Sequence, residues 1–362
     1  MAVRDVTTYL VDASTWLPKQ FIFCRVEDED GTVGWGEAYT IPQRERGIAE
    51  FVKGLGTMLL SLDEATPENY RQNVTSWYDE GHLSIDFSSA ASALEVALWD
   101  IRGKQAGKPV CELLGTVQRR SIPLYANMDP ETPGETMDQL VERCHKLRAL
   151  GYDAIKIYPM NYEPLDRAVE CVSRVRDVIG NDARLMIDVW ALQDADEALA
   201  AAREFAAFDP FWFEEPVAGE RLAEMAAIRR EVDIPIVTGE RQVGLHHYRS
   251  ALEQEAADIL NPDIVAAGGI QDMLETAKLA ASYDVSISPH CWNSTLIATA
   301  AMIHTMAVIP NAIIGEYFPQ YASFFDQFGE LAFDLKQGAA MIGDTPGLGV
   351  NMRDDALADY RI

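Results

Sequence analysis

Short apolar segments alternate with amphipathic stretches along the chain from about residue 121 onward. The stretches between them, for example ETMDQLVERCHKLRALG and DADEALAAAREFAAF, space their apolar residues three and four positions apart, as helices that pack on one face do. Strands and helices that alternate through eight strands predict a closed parallel barrel. The eight predicted strands are IPLYAN, DAIKIY, RLMID, FWFEE, IPIVTGE, ADILNPD, VSISPH and AIIGEY.

The residues before this alternation follow a different pattern. VRDVTTYLVDAS and FIFCRVEDEDGTVGWGEAY are typical of strands, and an Asp-Gly turn inside the second indicates a hairpin. FSSAASALEVALWDIRGKQAG predicts a helix with Ser at its start and Gly at its end. We therefore predict an α/β protein with an N-terminal α+β capping domain over residues 1–120, a modified TIM barrel, (β/α)7β, over residues 121–320, and a C-terminal segment over residues 321–362 that packs back on the capping domain.

The composition limits the partners of the protein. The chain has 57 acidic and 30 basic residues, and the net charge of −27 would repel nucleic acid and anionic lipid. The N-terminus lacks an apolar run typical of a signal peptide, and no later segment approaches about 20 uninterrupted apolar residues, so we expect a cytoplasmic protein without a membrane or nucleic-acid partner. No CxxC spacing occurs, and we expect reduced, mostly buried thiols at Cys24, Cys111, Cys144, Cys171 and Cys291.

The predicted barrel strands end in polar residues, although strands buried on both faces should be apolar throughout. From Asp188 onward these residues are separated by 26, 26, 23, 27 and 26 positions, which is close to one strand and helix each. They should therefore recur at one rim of the barrel, where such barrels carry their active sites. A helix cap or a solvated loop charge explains any single one of them equally well. The set comprises Lys156, Asp188, Glu214, Glu240, Asp263, His290 and Glu316.

Three of these acids come from consecutive strands, and we expect their carboxylates to converge. Unrelieved crowding of Asp188, Glu214 and Glu240 would raise their pKa values, and a hard divalent cation would relieve it. An all-oxygen set of ligands with open positions suits Mg²⁺ or Mn²⁺ better than Zn²⁺. The pattern therefore predicts one divalent cation at this rim.

The next two strands place Asp263 beside His290, so that the carboxylate can accept the imidazole N–H and raise its basicity. We predict an acid/base dyad. On the second strand, alternation sends Lys156 and Tyr158 to the same side of the sheet. Lys156 could neutralise a substrate carboxylate or be a surface lysine, and Tyr158 could donate a proton or merely pack.

These residues, in this order, resemble the enolase superfamily and within it the mandelate racemase-like subgroup. The resemblance covers nearly the whole chain. Each motif is weak alone, and the ordered set is specific. The motifs are SALEVALWDIRGKQAGKPVCELLG in the first domain, EEP after the fourth strand, GE after the fifth, NPD and GGI around the sixth, PH at the seventh, and HTMAVIPN followed by GEY into the eighth.

The resemblance implies roles for individual residues. Asp188, Glu214 and Glu240 become the Mg²⁺ ligands, with the substrate carboxylate completing the coordination shell. The shared chemistry is removal of a proton next to a carboxylate, giving an enediolate that the metal stabilises. Asp263 and His290 match the dyad of the subgroup, Glu316 matches the acid that hydrogen-bonds the substrate carboxylate, and Glu215 faces away from the metal. The resemblance also implies a homo-oligomer, a dimer or an octamer.

Two departures from the subgroup's pattern favour one reaction. The subgroup often has Lys-x-Lys on the second strand, and this chain has Tyr158 at the second position, where a phenol with an unperturbed pKa of about 10 is a poor base. Trp190 stands where several sugar-acid dehydratases carry a catalytic histidine. We therefore expect a Mg²⁺-dependent aldonate or aldarate dehydratase, in which His290 abstracts the C2 proton and His290 or Tyr158 assists loss of the 3-hydroxyl, giving a 2-keto-3-deoxy acid.

Two alternatives remain open at this point. A racemase or epimerase could use the same scaffold, and a non-catalytic barrel could bind an acid sugar without turning it over. Substrate specificity in this superfamily depends on loops over the barrel mouth. We therefore assign Trp16 and Lys19 of the DASTWLPKQF loop, together with Trp190 and Trp292, as candidate substrate-binding residues, although an ordinary exposed loop would explain Trp16 and Lys19 nearly as well.

Overall fold

The N-terminal part of the chain forms an antiparallel sheet with helices packed against it. The computed structural model describes residues 1–12, 19–76, 82–130, 134–192, 194–292 and 294–362. The strands pair in the order β1-β2-β3, and the predicted Asp-Gly hairpin joins the second and third. The elements are β1 (Val3–Asp12), β2 (Gln20–Asp28), β3 (Val33–Ala38), α1 (Glu45–Leu60), α2 (Pro67–Thr75), α3 (Ile85–Ala106) and α4 (Cys111–Leu114).

The helix α3 lies directly on the sheet. It begins at Ile85, two residues before the predicted stretch, because the side chain of Ser84 accepts the Phe87 N–H and caps it, while Ser88 and Ser89 lie inside the helix. The helix ends at Gly107 in the left-handed conformation, as predicted. A Cβ atom at Gly36 would lie 1.7 Å from the Ala93 carbonyl oxygen, so only glycine permits this close contact between α3 and β3.

Residues 121–317 form the predicted barrel. In the described ranges, parallel pairing runs from β4 through β10, and β11 pairs with β4. The ring closes where the Ile313 N–H donates to the Ile287 carbonyl at 2.9 Å. The strands are β4 (Ser121–Asn127), β5 (Ala154–Ile157), β6 (Arg184–Asp188), β7 (Trp212–Glu214), β8 (Ile236–Thr238), β9 (Ile259–Leu260), β10 (Ser286–Ile287) and β11 (Gly315–Tyr317).

Helices surround this ring, one after each of the strands β4 to β10. They are α5 (Met137–Ala149), α6 (Leu165–Ile179), α7 (Ala195–Phe205), α8 (Leu222–Glu231), α9 (Leu245–Glu253), α10 (Ile270–Ala281) and α11 (Leu296–Met306). The (β/α)7β fold class is thus confirmed. Inside the ring, Trp212 packs edge-on against Tyr125 with ring centroids 5.3 Å apart, while Phe213 points outward and contacts Phe205. The interior beneath the strand ends is therefore filled with side chains.

The C-terminal residues contact both preceding parts of the chain. Strand β14 pairs antiparallel with β4, and the Ile362 N–H donates to the Thr8 carbonyl at 3.0 Å. The ring of Phe325 lies edge-on to Phe21 of β2. The elements here are α12 (Ala322–Phe325), β12 (Gly329–Leu331), β13 (Asp334–Lys336), β14 (Ala339–Met341), β15 (Val350–Met352) and α13 (Asp354–Leu357).

Buried carboxylates tie the N-terminal part to the barrel. Glu37 of β3 accepts the N–H groups of Thr295 and Ala298 at the start of α11, and Glu95 of α3 accepts those of Ile270 and Gln271 at the start of α10. Each carboxylate therefore satisfies helix N–H groups that have no partner inside their own helix.

The cysteines agree with the sequence expectation. All five carry free thiols, and all five are buried. Across the described ranges, none of the helices combines the length and the apolar character that crossing a membrane requires.

Candidate active site

Three carboxylates meet at the carboxyl ends of neighbouring barrel strands. Asp188 ends β6, Glu214 ends β7, and Glu240 follows β8 by two residues. One oxygen from each of the three lies within 4.8 Å of the others, and all three side chains are buried. The indole N–H of Trp212 donates to Glu214 Oε2 at 2.9 Å, so the aromatic residues of FWFEE both fill the barrel and orient this carboxylate.

The ammonium of Lys156 lies among acidic side chains. Its Nζ is 2.8 Å from Glu214 Oε1, 2.8 Å from Glu316 Oε1 and 3.5 Å from Asp188 Oδ2. Burial lowers the pKa of Lys156, but Glu214 and Glu316 outweigh it and hold the pKa well above its usual value. Lys156 is 0 % exposed, so the alternative of a surface lysine is wrong.

The carboxylates carry more negative charge than Lys156 neutralises. Burial raises the pKa of Asp188 to about 6, with Lys156 opposing and Glu240 adding to the rise. Burial also raises the pKa of Glu214 well above its usual value. Desolvated, crowded carboxylates of this kind are stabilised by a divalent cation, and their all-oxygen donor set suits Mg²⁺. The three residues present therefore fit the cation that the fold implies.

Asp263 and His290 form a hydrogen-bonded pair after the next two strands. The Nδ1 of His290 is 2.9 Å from Asp263 Oδ2, and Asp263 Oδ1 accepts the Val265 N–H at 2.9 Å. Because a carboxylate accepts the Nδ1 hydrogen, the Nε2 atom is left to face the carboxylate cluster, 3.2 Å from Glu240 Oε2 and 3.6 Å from Glu316 Oε2. The imidazole is thereby presented to the centre of the site.

The charge around His290 sets its protonation. Burial lowers the pKa of His290, but Glu316, Glu240 and the hydrogen bond to Asp263 raise it to about 10. A divalent cation bound beside Glu240 would offset this field and favour the neutral imidazole. Protonation of His290 and binding of a cation would therefore oppose each other.

Glu316 lies between Lys156 and His290. Its Oε2 accepts the backbone N–H of Cys291 at 2.7 Å, and its Oε1 accepts the side-chain amide of Asn127 at 2.5 Å. Burial raises the pKa of Glu316, but Lys156 and His290 lower it to about 2. A carboxylate held ionised in this way accepts hydrogen bonds and does not donate a proton.

Tyr158 follows β5 by one residue, at the edge of the same site. Its hydroxyl accepts a hydrogen bond from Asn127 Nδ2 at 2.8 Å, and the Nζ of Lys156 lies 5.9 Å from its ring centroid. Burial raises the pKa of Tyr158 well above 10, with Lys156 opposing, so the phenol is protonated at neutral pH.

Two amide side chains belong to the site that the sequence pattern did not single out. Asn127, the last residue of β4, contacts Tyr158 and Glu316, and Asn261 of the NPD motif donates to Glu214 Oε1 at 3.0 Å. Both are polar residues at the end of an apolar strand, which is the same signal that identified the acids. The signal at strand ends therefore applies to amide side chains as well as to ionisable ones.

The candidate substrate-binding residues differ in their surroundings. Trp190 is 69 % exposed at the rim and has a left-handed backbone with φ of 52°, a strained conformation for a bulky residue. The guanidinium carbon of Arg241 lies 5.7 Å from its ring centroid. Trp292 packs against Tyr39. Trp16 lies outside the described residues.

Lys19 is buried rather than exposed on a loop. Its Nζ donates to the Trp292 carbonyl at 3.1 Å and lies 4.5 Å from the indole ring centroid of Trp292 and 4.9 Å from the ring centroid of Phe21. Burial lowers the pKa of Lys19 to about 8, with Glu37 opposing. The alternative of an exposed loop residue is therefore wrong for Lys19, which holds the segment next to His290.

Glu215 points away from the three carboxylates, as strand alternation requires. Its Oε1 accepts the Thr238 hydroxyl at 2.6 Å and the Gly239 N–H at 3.2 Å. Burial raises the pKa of Glu215 to about 8, and Glu240 adds to the rise. Glu215 thus supports the segment that carries Glu240.

Comparisons with known proteins agree with this geometry. The family described as the mandelate racemase/muconate lactonizing enzyme N-terminal domain matches residues 4–115, and the enolase C-terminal domain-like family matches residues 139–356. The D-galactonate dehydratase of Klebsiella pneumoniae (strain 342) is 30% identical over 362 aligned residues, which cover 96% of this chain and 92% of that protein.

Solved structures share the fold over the full chain. An enolase from environmental shotgun sequencing of the Sargasso Sea is 35% identical with a TM-score of 0.95, covering 100% of this chain and 97% of that one. The 3,6-anhydro-D-galactonate cycloisomerase of Zobellia galactanivorans is 29% identical with a TM-score of 0.91, covering 100% of both chains. The chain therefore belongs to the mandelate racemase/muconate lactonizing enzyme family of the enolase superfamily.

Proposed function

We propose that the protein is a Mg²⁺-dependent dehydratase that converts an aldonate or aldarate to a 2-keto-3-deoxy acid. The observation that carries the proposal is the buried pair of Asp263 and His290, whose Nε2 faces the carboxylate cluster. The chain is 30% identical to a protein named D-galactonate dehydratase, which makes D-galactonate the first substrate to test.

Asp188, Glu214 and Glu240 are the residues that would hold the cation. When bound there, a divalent cation supplies positive charge that stabilises the negative charge developing on a substrate carboxylate. The side-chain oxygens of these three residues, which come from neighbouring strands, leave positions open for that carboxylate.

The other residues carry the proton transfers and the binding. His290 removes the C2 proton through Nε2, and Asp263 holds the ring in the required tautomer. Lys156 provides a fixed positive charge for the substrate carboxylate. Glu316 accepts a hydrogen bond either from the substrate carboxylate, once that group is protonated, or from a neighbouring substrate hydroxyl. The electron pair of the C2–H bond forms the C2=C3 bond as the 3-hydroxyl leaves, and the resulting enol takes a solvent proton at C3.

A racemase needs a second base on the face of the substrate opposite His290. Tyr158 stands where the subgroup often has the second lysine of Lys-x-Lys, and burial keeps its phenol protonated, which favours elimination over inversion. A binding protein without activity does not account for the dyad and the carboxylate cluster meeting in one buried site. The homo-oligomeric state stays a prediction.

The proposal is tested by incubating the protein with Mg²⁺ and a panel of monoacid and diacid sugars, beginning with D-galactonate, and measuring 2-keto acid formation. The variant His290→Asn should lower kcat about 10²- to 10⁴-fold, because it removes the general base. His145→Asn, at an exposed position on α5, is the matched control and should retain full activity. Full activity in His290→Asn would show that the assignment of the base is wrong.

Removal of the cation provides an independent test. Chelation with EDTA should abolish keto acid formation, and Mg²⁺ should restore it. In calorimetric titrations with Mg²⁺ alone, Glu240→Gln should weaken binding at least about 10-fold, because it removes one anionic oxygen ligand. Undiminished Mg²⁺ affinity in this variant would contradict the proposed ligand set.

A further inference from the structure

Asn127 occupies a fixed orientation at the end of β4. The side chain is 0 % exposed, and its Oδ1 accepts the backbone N–H of Asp129 at 2.8 Å. Turning the amide over would place its NH₂ group against that N–H and its oxygen against the carboxylate of Glu316, so both contacts would become repulsive. The NH₂ group must therefore face the active site.

The two hydrogens of this NH₂ group have separate acceptors. Nδ2 lies 2.8 Å from the hydroxyl oxygen of Tyr158 and 2.5 Å from Oε1 of Glu316. Since an amide nitrogen can only donate, the Tyr158 oxygen is the acceptor in its contact. Asn127 thus makes the phenol oxygen of Tyr158 a hydrogen-bond acceptor in this contact.

This arrangement leaves the O–H of Tyr158 to donate elsewhere. Among the described residues, the contact with Asn127 is the hydrogen bond that the structure gives this hydroxyl, so its hydrogen has no protein acceptor there. Tyr158 remains partly exposed although its neighbours Ile157 and Pro159 are buried. The O–H is therefore available to a bound molecule.

Tyr158 and His290 approach the site from different strands. Tyr158 follows β5 and His290 follows β10, which lie three positions apart around the ring. Glu316 lies on the barrel wall between these two strands, where it contacts Asn127 and lies 3.6 Å from His290 Nε2. A molecule held between them can meet a base at one end and a hydrogen-bond donor at the other.

We propose that Asn127 is a positioning residue that holds the Tyr158 hydroxyl as the donor which protonates the departing 3-hydroxyl. The step rests on the dehydratase function proposed above. His290 first takes the C2 proton and leaves its electron pair on the substrate; this pair then forms the C2=C3 bond, and the C3–O bond breaks as the Tyr158 proton joins the oxygen to give water. The phenolate that remains lies beside the Lys156 ammonium and regains a proton from solvent.

The test separates proton abstraction from elimination. Wild type, Tyr158→Phe, Asn127→Asp and the double variant are incubated with Mg²⁺ and the acid sugar that wild type dehydrates, in D₂O, and both C2 deuterium exchange and keto acid formation are followed by NMR. At position 127 an aspartate carboxylate still accepts the Asp129 N–H but also accepts the Tyr158 O–H, which turns this donor away from the substrate.

Each single variant should lower keto acid formation about 10²-fold or more while C2 exchange falls less than about 10-fold. The double variant should be no worse than about 3-fold below Tyr158→Phe, because Asn127 acts through the phenol. Asn127→Ala, which adds no charge beside Glu316, should show the same division between exchange and elimination.

Three outcomes would overturn the proposal. Equal losses of exchange and elimination in the Asn127 variants, with an active wild type, would show that Asn127 acts through Glu316 or the fold. A loss in the double variant equal to the product of the losses in Tyr158→Phe and Asn127→Asp would also show that Asn127 does not act through the phenol. A wild type that exchanges C2 but forms no keto acid from any acid sugar would overturn the dehydratase function and this proposal together.

Discussion

His304 shows what burial of an ionisable residue costs this protein. The side chain lies on α11 with 0 % exposure, its Nδ1 accepts the Cys111 N–H at 3.3 Å, and its ring lies against Phe333. Burial lowers the pKa of His304 to about 4, and Arg120 also lowers it. The imidazole is therefore neutral in the folded protein under conditions in which the unfolded chain binds a proton.

The pH dependence of stability follows from this difference. Because the folded pKa of about 4 lies below the ordinary histidine value of 6.5, the unfolded chain binds more protons between these values, and the stabilisation is lost as the pH falls from 6.5 toward 4. Between pH 7.5 and 5, wild type should lose about 2 kcal/mol more unfolding free energy than His304→Gln. Urea unfolding of both proteins measures this, and parallel pH profiles would contradict it.

At the residue scale, the sequence predicts the charged groups of the site better than the amides. Asp188, Glu214 and His290 recur at the spacing of one strand and helix, so their convergence follows from the barrel itself. Asn127 could equally cap a turn, because its partners Tyr158 and Glu316 lie 31 and 189 residues away along the chain. Only the folded arrangement shows what it contacts.

At the scale of elements, the eight predicted barrel strands occur in the predicted order, and most of them are shorter than predicted. ADILNPD and VSISPH contract to the two-residue strands β9 and β10. Pro262 and Pro289 lack the N–H that would continue the ladder, so the strands stop before them. Asp263 and His290 are nevertheless brought side by side by a single parallel bridge beyond the strands.

The start of α10 depends on a contact between distant elements. Gly269 has φ of 94°, and a Cβ atom there would lie 2.3 Å from Oε2 of Glu95, whose two carboxylate oxygens accept the first N–H groups of this helix. The motif GGI is visible in the sequence, but the carboxylate that requires the glycine comes from α3. The need for glycine at position 269 therefore arises from a tertiary contact.

Gly269→Ala should destabilise the protein by about 3 kcal/mol, because it strains the backbone and displaces the carboxylate from the helix start. Gly54→Ala is the matched control, since a Cβ atom at Gly54 inside α1 meets nothing within 4 Å. The control should stabilise by about 0.5 to 1 kcal/mol. Similar urea unfolding curves for the two variants would refute this explanation of Gly269.

At the scale of the whole molecule, the net charge of −27 opposes the compact state. Sodium chloride screens charges that are separated by more than the Debye length, which is about 30 Å at 0.01 M and about 10 Å at 0.1 M. In the presence of EDTA, raising sodium chloride from about 0.01 to about 0.3 M should therefore raise the thermal unfolding midpoint by about 2 °C or more.

Choline chloride at equal ionic strength should produce the same rise in unfolding temperature, because screening does not depend on the identity of the cation. A midpoint that falls with salt would show that surface ion pairs, such as the one between Arg203 and Glu231, outweigh the net repulsion. An equal rise in both salts would therefore show that screening of the net charge, and not binding of sodium ions, stabilises the protein.

The dehydratase assignment is tested most directly by NMR of the Mg²⁺-loaded protein in D₂O with the acid-sugar panel, beginning with D-galactonate. Elimination with His290 as base predicts a 2-keto-3-deoxy acid that carries solvent deuterium at C3, and loss of this product in His290→Asn. Deuterium exchange at C2 with inversion, and no keto acid from any sugar that reacts, would contradict the account and identify a racemase or epimerase.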